Sequence, residues 1–259
     1  MTEHEKFKIE CNKEVFSQGA DSVLQLMTSE WFNHANKSKY SYHFEWFGRP
    51  IIQYPQDIVA MQEIIWEVKP DLIIETGIAH GGSLIMNASL LSMLDYCEAS
   101  ESGELIDPKK PKRRVLGIDI DIREHNRIAI EAHPMSNRID MIQGSSIAED
   151  IIKKVYEYAK NYKRILISLD SNHTHQHVLE ELKAYAPLTS INSYCMVFDT
   201  VIEDIPDGYF TDRPWGPGDN PKTAVWEYLK SHPEFEIDKS IQNKLLITVA
   251  PDGYLKRVK

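Results

Sequence analysis

Short apolar runs alternate along most of the chain with amphipathic stretches. The runs begin at residues 72, 115, 139, 165 and 194, and each spans three to five residues that include β-branched members. Such runs are too short for a helix and are typical of strands buried on both faces. The stretches between them carry apolar residues at helical spacing and predict helices at 56–68, 83–96, 124–132, 147–160 and 178–185. Strands that alternate with helices predict an α/β fold with a parallel sheet.

The two ends of the chain differ from this alternation. Residues 1–50 predict an N-terminal extension of helices and loops, followed by one domain over 51–259. Phe16, Val23, Leu24, Leu26 and Met27 form a possible apolar face on the extension. Its aromatic residues between 31 and 47 could pack on the domain, line a substrate cleft or meet another subunit, and packing is the favoured interpretation because aromatic side chains are large hydrophobic groups.

The C-terminal part predicts a helix at 223–229 and then an antiparallel pair of strands at 235–238 and 245–249, which residues 251–258 turn and extend. The loop that follows Asp199 is long, rich in Pro and Gly, and carries Trp215. Long loops inside compact domains are often functional. Residues 97–114 read as a charged loop, and the KKPKRR run within it is interpreted as solvated.

The stretch DLIIETGIAHGGSL, residues 71–84, combines a strand, a glycine-rich turn and the start of a helix. Gly77, Gly81 and Gly82 leave the turn almost free of side chains. This geometry lets backbone N–H groups and a helix N-terminus approach a nucleotide-like ligand. A tight turn whose glycines serve packing alone is the alternative, since glycine-rich turns are weak motifs.

Acidic residues stand at the ends of four predicted parallel strands: Glu75, Asp119, Asp170 and Asp199. Ligands of open α/β sheets bind outside the carboxyl ends of the strands, so we expect these acids to meet at one crevice. Asp119 suits hydrogen bonding to a ribose diol. Capping of the following helices explains one or two of the four acids without a ligand.

The segment LDSNHTHQH, residues 169–177, holds the densest group of chemically active side chains. No cysteine completes a zinc site with its histidines. Asp170, Asp199 and the hydroxyl of Thr200 instead form an oxygen-rich group that suits Mg²⁺ or Mn²⁺. His173 is a candidate general base because imidazole titrates near neutral pH. His175 and the histidine at 177 are interpreted first as surface or capping residues.

Composition narrows the classes of function. The formal net charge is −10, which opposes attraction to nucleic acid or to an anionic membrane surface. The three cysteines, Cys11, Cys97 and Cys195, show no disulfide or zinc-binding spacing. No run of about 20 apolar residues is present for spanning a bilayer. The polar N-terminus lacks the apolar core of a signal peptide, so we expect a cytoplasmic protein without membrane or nucleic-acid partners.

Four segments together resemble the cephalosporin hydroxylase-like family, which belongs among the class I, S-adenosylmethionine-dependent methyltransferases despite its name. They are DLIIETGIAHGGSL, VLGIDIDIR, LDSNHTHQHV, and FDT followed by RPWGPGDNPKTAVWEYL. The likeness covers about residue 51 to the C-terminus. It implies a Rossmann-like, seven-stranded, mostly parallel sheet whose last strand is antiparallel.

The resemblance also implies a set of site residues. Those assigned to S-adenosylmethionine are Glu75, Thr76, Gly77 and Ser83, with Asp119 at the ribose and Ser145 and Ser146 near the adenine. In related metal-dependent sugar O-methyltransferases, an Asp precedes a catalytic His by three residues, as Asp170 precedes His173. The acidic pair that follows the next strand in those enzymes is incomplete here, since Phe198 precedes Asp199 and Thr200 follows it.

The function implied is transfer of a methyl group, with Mg²⁺ or Mn²⁺, to a hydroxyl of a sugar or nucleotide-sugar in polysaccharide or natural-product biosynthesis. His80, His175 and Trp215 are the candidate acceptor contacts, and a homo-oligomer is expected. A hydroxylase and a non-catalytic S-adenosylmethionine-binding partner protein are the alternatives. The sequence leaves open which hydroxyl is methylated.

Overall fold

The computed structural model describes residues 1–259. The helices are α1 (Glu3–Ala20), α2 (Ser22–Ala35), α3 (Pro55–Val68), α4 (Gly82–Ser102), α5 (Glu124–Glu131), α6 (Glu149–Ala159), α7 (His175–Tyr185), α8 (Pro221–Leu229) and α9 (Lys239–Leu245). The strands are β1 (Phe44–Trp46), β2 (Arg49–Ile51), β3 (Leu72–Thr76), β4 (Arg114–Asp119), β5 (Ile139–Gln143), β6 (Ile165–Leu169), β7 (Tyr194–Val197), β8 (Phe235–Ile237) and β9 (Tyr254–Arg257). No helix has both the length and the apolar character needed to cross a membrane.

Seven strands form one sheet in the order β5-β4-β3-β6-β7-β9-β8. Strands β3 to β7 are mutually parallel, and β9 runs antiparallel to both of its neighbours, β7 and β8. Successive residues of β3 point to opposite faces, so Ile73 joins one hydrophobic core and Ile74 joins the other. Both are fully buried, which explains the uninterrupted apolar run. The predicted α/β sheet with an antiparallel last strand is confirmed.

The strand predicted at 245–249 is wrong. Its apolar residues end α9 and enter a turn in which Leu246 has φ +62°. The antiparallel partner of β8 is β9, with Phe235 opposite Arg257. A run of apolar, β-branched residues is typical of a strand, but the same run can also occur in a loop that packs against the core. Val249 packs into the core in this way and is not part of the sheet.

The charged segment at 97–114 also differs from the prediction. Helix α4 continues to Ser102 and ends at Gly103, whose φ of +76° suits a left-handed helix terminus. The basic run that follows is not wholly solvated. Arg113 is 3% exposed and forms ion pairs with Asp95 and Glu98, because a buried guanidinium needs carboxylate partners.

The N-terminal extension forms helices and turns as expected, but residues 44–50 also form β1 and most of β2, which were not predicted. Its aromatic residues between 31 and 47 divide between packing on the domain and exposure to solvent. Phe32 stacks on Tyr54 with ring centroids 5.2 Å apart, and Tyr40 lies 5.3 Å from the same ring. Tyr42 remains exposed. The predicted apolar face is not buried: Phe16, Val23, Leu26 and Met27 are exposed, and only Leu24 is partly covered.

Candidate active site

The turn between β3 and α4 is built from backbone that only small residues allow. Gly77, Ala79 and Gly81 have φ of +88°, +46° and +81°, the left-handed region that disfavours larger side chains. A Cβ atom on Gly77 would clash with the carbonyl oxygen of Asp170. The glycine loop, residues 77–82, therefore lies directly against the segment that follows β6.

The β1–β2 hairpin covers the same loop from the N-terminal side. A Cβ atom on Gly82 would clash with the carbonyl oxygen of Pro50. Arg49 donates to the carbonyl oxygen of His80, with Nε at 3.0 Å, and to Asn126 Oδ1 at 3.1 Å. The hairpin thus holds the glycine loop between the N-terminal extension and α5.

Two of the predicted acids, Asp119 and Glu75, stabilise the glycine loop and the first turn of α4 through hydrogen bonds. Asp119 accepts hydrogen bonds from Ile78 N at 2.7 Å and from Asp121 N at 3.0 Å. Glu75 is 2% exposed and accepts from the Ser83 hydroxyl and from Asn87 Nδ2, the latter at 2.9 Å. Burial raises the pKa of Glu75 to about 7, because the charged form loses its hydration.

The remaining cofactor candidates lie at neighbouring strand ends and do not line the main cleft described below. Thr76 is fully buried, and its carbonyl oxygen accepts from Asp170 N at 3.0 Å. The Ser146 hydroxyl lies 3.1 Å from His177 Nε2. Ser145 is partly exposed beside it. Ser83 and Gly77 are the cofactor candidates that do line the cleft.

Asp170 and His173, which follow β6, come together with Asp199, which follows β7. Each offers a ligand atom, and these atoms lie within 4.8 Å of one another. His173 Nδ1 is 3.2 Å from Asp199 Oδ2, and Asp170 Oδ2 accepts from Gln53 Nε2 at 3.2 Å. Asp199 adopts φ +55°, an uncommon conformation that clusters at functional sites.

Burial and then repulsion from Asp199 raise the pKa of Asp170 well above its usual range. No Lys or Arg forms an ion pair with either carboxylate. Two close carboxylates without a protein cation repel one another, and a divalent cation between them removes that cost. Their oxygens are the ligands that Mg²⁺ and Mn²⁺ prefer, so the donor set fits the predicted metal.

Two predicted contacts need correction. The Thr200 hydroxyl is fully buried and donates to the carbonyl oxygen of Pro251 at 2.7 Å, so it is directed away from the carboxylate cluster. His175 begins α7, with Nδ1 2.8 Å from the Thr223 hydroxyl and Nε2 3.2 Å from Glu227. It packs against α8 and does not line the cleft. These contacts hold the start of α7 against α8.

A cleft of about 490 Å³ opens above the glycine loop and the carboxylate cluster, which is the size range of small-molecule sites. The predicted His80 and Trp215 line it, together with Asp170, His173 and Asp199. The ring of Trp215 meets that of His173 edge to face at 5.4 Å. The cleft also contacts the N-terminal extension, whose lining residues are Phe32, Asn36, Lys39, Ser41 and Tyr42.

Three buried polar residues that support this site could not be predicted from the sequence. Asp57 is 2% exposed within α3 and accepts from Val249 N at 3.0 Å and Tyr254 Oη at 2.7 Å, almost 200 positions away. Gln53 orients Asp170, and Asn87 orients Glu75. Asp57 and Asn87 lie in helices, where a polar residue normally faces solvent, and Gln53 lies in the short connection between β2 and α3. No local signal distinguishes these residues from surface positions.

Comparison with known sequences gives the family. A family model for Rhamnosyl O-methyltransferase/CmcI matches residues 38–258. The Rhamnosyl O-methyltransferase of Mycobacterium tuberculosis is 30% identical over 249 residues, which cover 94% of this chain and 89% of that protein. The Rhamnosyl O-methyltransferase of Mycobacterium leprae is 27% identical over 214 residues, with 82% of each chain covered.

Among solved structures, an apo form of CmcI aligns with a TM-score of 0.57 and 21% identity over 84% of this chain and 77% of that one. A CmcI structure with Mg and SAM aligns with a TM-score of 0.54 and 20% identity, over 84% and 78%. At these identities the likeness concerns the fold, which it confirms. The chain belongs to the Rhamnosyl O-methyltransferase/CmcI family and is an S-adenosylmethionine-dependent methyltransferase, as the four sequence segments predicted.

Proposed function

We propose that the protein transfers a methyl group from S-adenosylmethionine to a hydroxyl of a sugar or nucleotide-sugar, with Mg²⁺ or Mn²⁺ held by Asp170 and Asp199. The observation that carries the proposal is the meeting of Asp170, His173 and Asp199 in one cleft that also contains the glycine loop. The chain's relatives named Rhamnosyl O-methyltransferase support a sugar acceptor.

The cofactor is proposed to lie over the glycine loop. Gly77 lines the cleft and packs directly against the Asp170 carbonyl oxygen, and Asp119 and Glu75 hold the loop and the first turn of α4 in shape. Ser145 and Ser146, after β5, are proposed to flank the adenine. Helix α4 begins at Gly82 and presents N–H groups to the cleft, an arrangement that favours polar ligand groups.

The metal and the acceptor are proposed to share the other half of the cleft. A divalent cation, when bound, stabilises negative charge that develops on a substrate hydroxyl oxygen and orients the acceptor, which can contribute several kcal/mol. Asp170 and Asp199 supply the oxygen ligands. Gln53 restricts the Asp170 carboxylate through its hydrogen bond at 3.2 Å, so the ligand geometry is set before substrate binds.

His173 is proposed to accept the hydroxyl proton. Its Nδ1 lies 3.2 Å from Asp199 Oδ2, and we assign the proton to Nδ1 because a carboxylate can only accept there. Nε2 is then the free basic nitrogen, and Asp199 stabilises the imidazolium that forms. One oxygen of Asp199 orients the histidine, which leaves the other for the metal.

The aromatic side chains at the cleft support an acceptor with a carbon ring. Trp215 contacts His173 and also meets Phe210 edge to face at 4.7 Å. Such a surface covers the apolar face of a sugar and excludes water from the transfer. His80 lies on the loop side of the same cleft and is proposed to contact the acceptor. A role in polysaccharide or natural-product biosynthesis, a cytoplasmic location and a homo-oligomer stay predictions.

The test measures S-adenosylhomocysteine formation with rhamnosyl acceptors after treatment with EDTA, and again after addition of Mg²⁺ or Mn²⁺. We expect activity to disappear in chelator and to return with the ion. Calorimetric titration of S-adenosylmethionine in EDTA provides the control, because cofactor binding over the glycine loop does not require the metal. Full turnover in chelator would remove the metal from the mechanism.

A further inference from the structure

The lining of the cleft contains two basic side chains whose recorded side-chain contacts are with aromatic rings: Lys39 with Tyr42 at 6.0 Å and Arg213 with Trp215 at 5.9 Å. Apart from its histidines, the cationic residues in its lining are Lys39 and Arg213. Neither forms an ion pair or a side-chain hydrogen bond, although the chain has 39 acidic residues against 29 basic ones. Two exposed cations without a carboxylate partner, in the lining of the cleft that holds Asp170 and His173, are available to a ligand.

The backbone at Lys39 strengthens this interpretation. The residue adopts φ +53° and ψ +49° between two short 3₁₀ turns. Glycine or asparagine accommodates this left-handed conformation with less strain. A lysine is retained in this turn at the edge of the cleft, with its ammonium 6.0 Å from the centre of the Tyr42 ring, which also lines the cleft, and strained conformations of this kind cluster at ligand contacts.

Arg213 contacts Trp215, one of the aromatic side chains that line the cleft. Its guanidinium lies over the Trp215 ring, 5.9 Å from the centroid, and that ring contacts His173 at 5.4 Å. The guanidinium is therefore separated from the proposed base by one aromatic ring.

The two cations belong to two different segments of the chain, which a hydrogen bond joins. Lys39 belongs to the N-terminal extension, and Arg213 belongs to the loop after β7. Tyr209 of that loop donates through its hydroxyl to the carbonyl oxygen of Asn33, at 3.1 Å. The acid beside Arg213, Asp212, also lines the cleft, so the local charge of the two walls is +1 once Asp170 and Asp199 are assigned to the metal.

Building on the proposed function, we infer that Lys39 and Arg213 bind the phosphate groups of an acceptor whose sugar carries a diphosphate ester on its anomeric carbon. No bond to phosphorus changes in the reaction. Arg and Lys are the side chains that recognise phosphate oxygens, through charge-assisted hydrogen bonds. These contacts would orient the sugar ring so that one hydroxyl meets His173, and they would make a neutral glycoside a poor acceptor.

The test combines Lys39→Asn, which suits the left-handed backbone, with Arg213→Gln. Lys37→Gln is the matched control, because this exposed lysine lies two residues away and outside the cleft. Acceptors are a nucleoside-diphosphate rhamnose, rhamnose 1-phosphate and methyl rhamnoside. Because the double variant loses the charge-assisted hydrogen bonds to the phosphate oxygens, we expect its KM for the diphosphate acceptor to rise at least ~10-fold.

The KM for methyl rhamnoside should stay within about twofold in the same variant, and rhamnose 1-phosphate should fall between the two. A diphosphate acceptor whose KM is unchanged in the double variant would overturn the inference. An equal loss with the neutral glycoside would also overturn it, since the substitutions would then have disturbed the cleft as a whole.

Binding of a nucleoside diphosphate alone, measured by calorimetry in the presence of S-adenosylhomocysteine, separates this inference from the proposed reaction. Binding that weakens at least ~10-fold in the double variant and not in Lys37→Gln supports the cationic pair even where no sugar is methylated. Absence of such binding in the wild-type protein contradicts the pair even where a neutral sugar is a substrate.

Discussion

The two halves of the cleft are built in different ways. The cofactor half consists mainly of backbone: the glycine loop joins β3 to α4 over a few consecutive residues and is held by Asp119 and Glu75. The acceptor half consists of side chains from distant segments, including Tyr42, His173 and Trp215. A local motif therefore describes the first half, whereas the second exists only after the whole chain has folded.

This difference suggests that the glycine loop determines cofactor binding and that the N-terminal extension and the long loop determine acceptor specificity. A binding surface made of backbone depends little on individual side chains and suits a cofactor that is common to the family. Side chains from an extension and a long loop can change without disturbing the sheet, and loops on a rigid scaffold are where specificity is usually set. We expect substitutions in the two halves to separate cofactor binding from acceptor turnover.

The largest effect is expected for His173→Ala. Loss of a positioned base should lower kcat by ~10²–10⁴-fold, while the affinity for S-adenosylmethionine, measured by calorimetry, should change little. His175→Ala is the matched control, because that histidine packs against α8 outside the cleft. Turnover close to wild type in His173→Ala would show that His173 is not the general base.

Gly77→Ala tests the cofactor half of the cleft, which consists mainly of backbone. The new Cβ atom would collide with the carbonyl oxygen of Asp170, so both the loop and the metal ligand must move. A displacement of about 1 Å can cost ~10²-fold in rate, and here cofactor affinity should fall as well. Gly103→Ala has a similar positive φ with open space around it, and it should retain activity. Equal effects of the two substitutions would show that backbone strain alone is responsible.

Glu75→Gln tests how the cofactor half is stabilised. Because folding raises the pKa of Glu75 from 4.5 to about 7, the folded state binds a proton more tightly than the unfolded state. This contribution to stability is fully present below about pH 4.5 and is lost as the pH rises through about 7.

Between pH 5 and pH 8 the wild-type protein should therefore lose roughly 2–3 kcal/mol of unfolding free energy relative to Glu75→Gln. Urea denaturation at several pH values measures this difference. Parallel curves for the two proteins would contradict the raised pKa.

The smallest effect is expected for Tyr209→Phe, which removes the hydrogen bond between the acceptor loop and the N-terminal extension. Such a bond contributes about 1 kcal/mol. We expect the acceptor KM to rise less than tenfold, with cofactor affinity unchanged. A matched fall in cofactor affinity would mean that the two halves of the cleft are not independent.

The sequence predicted the parts of the fold that rest on local pattern. Strand β6 has the bounds expected from its apolar run, and β3 to β5 agree within two residues at each end. The prediction of a strand at 245–249 is wrong because the Val249 side chain is apolar for packing into the core, while its backbone N–H donates to Asp57. A strand pattern cannot distinguish such a residue from one in a sheet. The longer α4 was missed because its last turn is polar and exposed.

The candidate site likewise contains residues that the local sequence pattern predicts and residues that it does not. Asp170, His173 and Asp199 were predicted because parallel strands end at one edge of the sheet, and the structure brings them together. Lys39 and Gln53 could not be found in this way. They precede the first strand of the parallel sheet, and their position at the cleft depends on how the extension folds back over the glycine loop.

The central claim is that Asp170 and Asp199 hold one divalent ion. Electron paramagnetic resonance of chelator-treated protein titrated with Mn²⁺ tests it directly, in the wild type and in the double variant Asp170→Asn with Asp199→Asn. Asp212→Asn is the control, since this acid lines the cleft outside the cluster. We expect one Mn²⁺ site in the wild type and the control, and none in the double variant. A site that survives in the double variant, or no site in the wild type, would contradict the account.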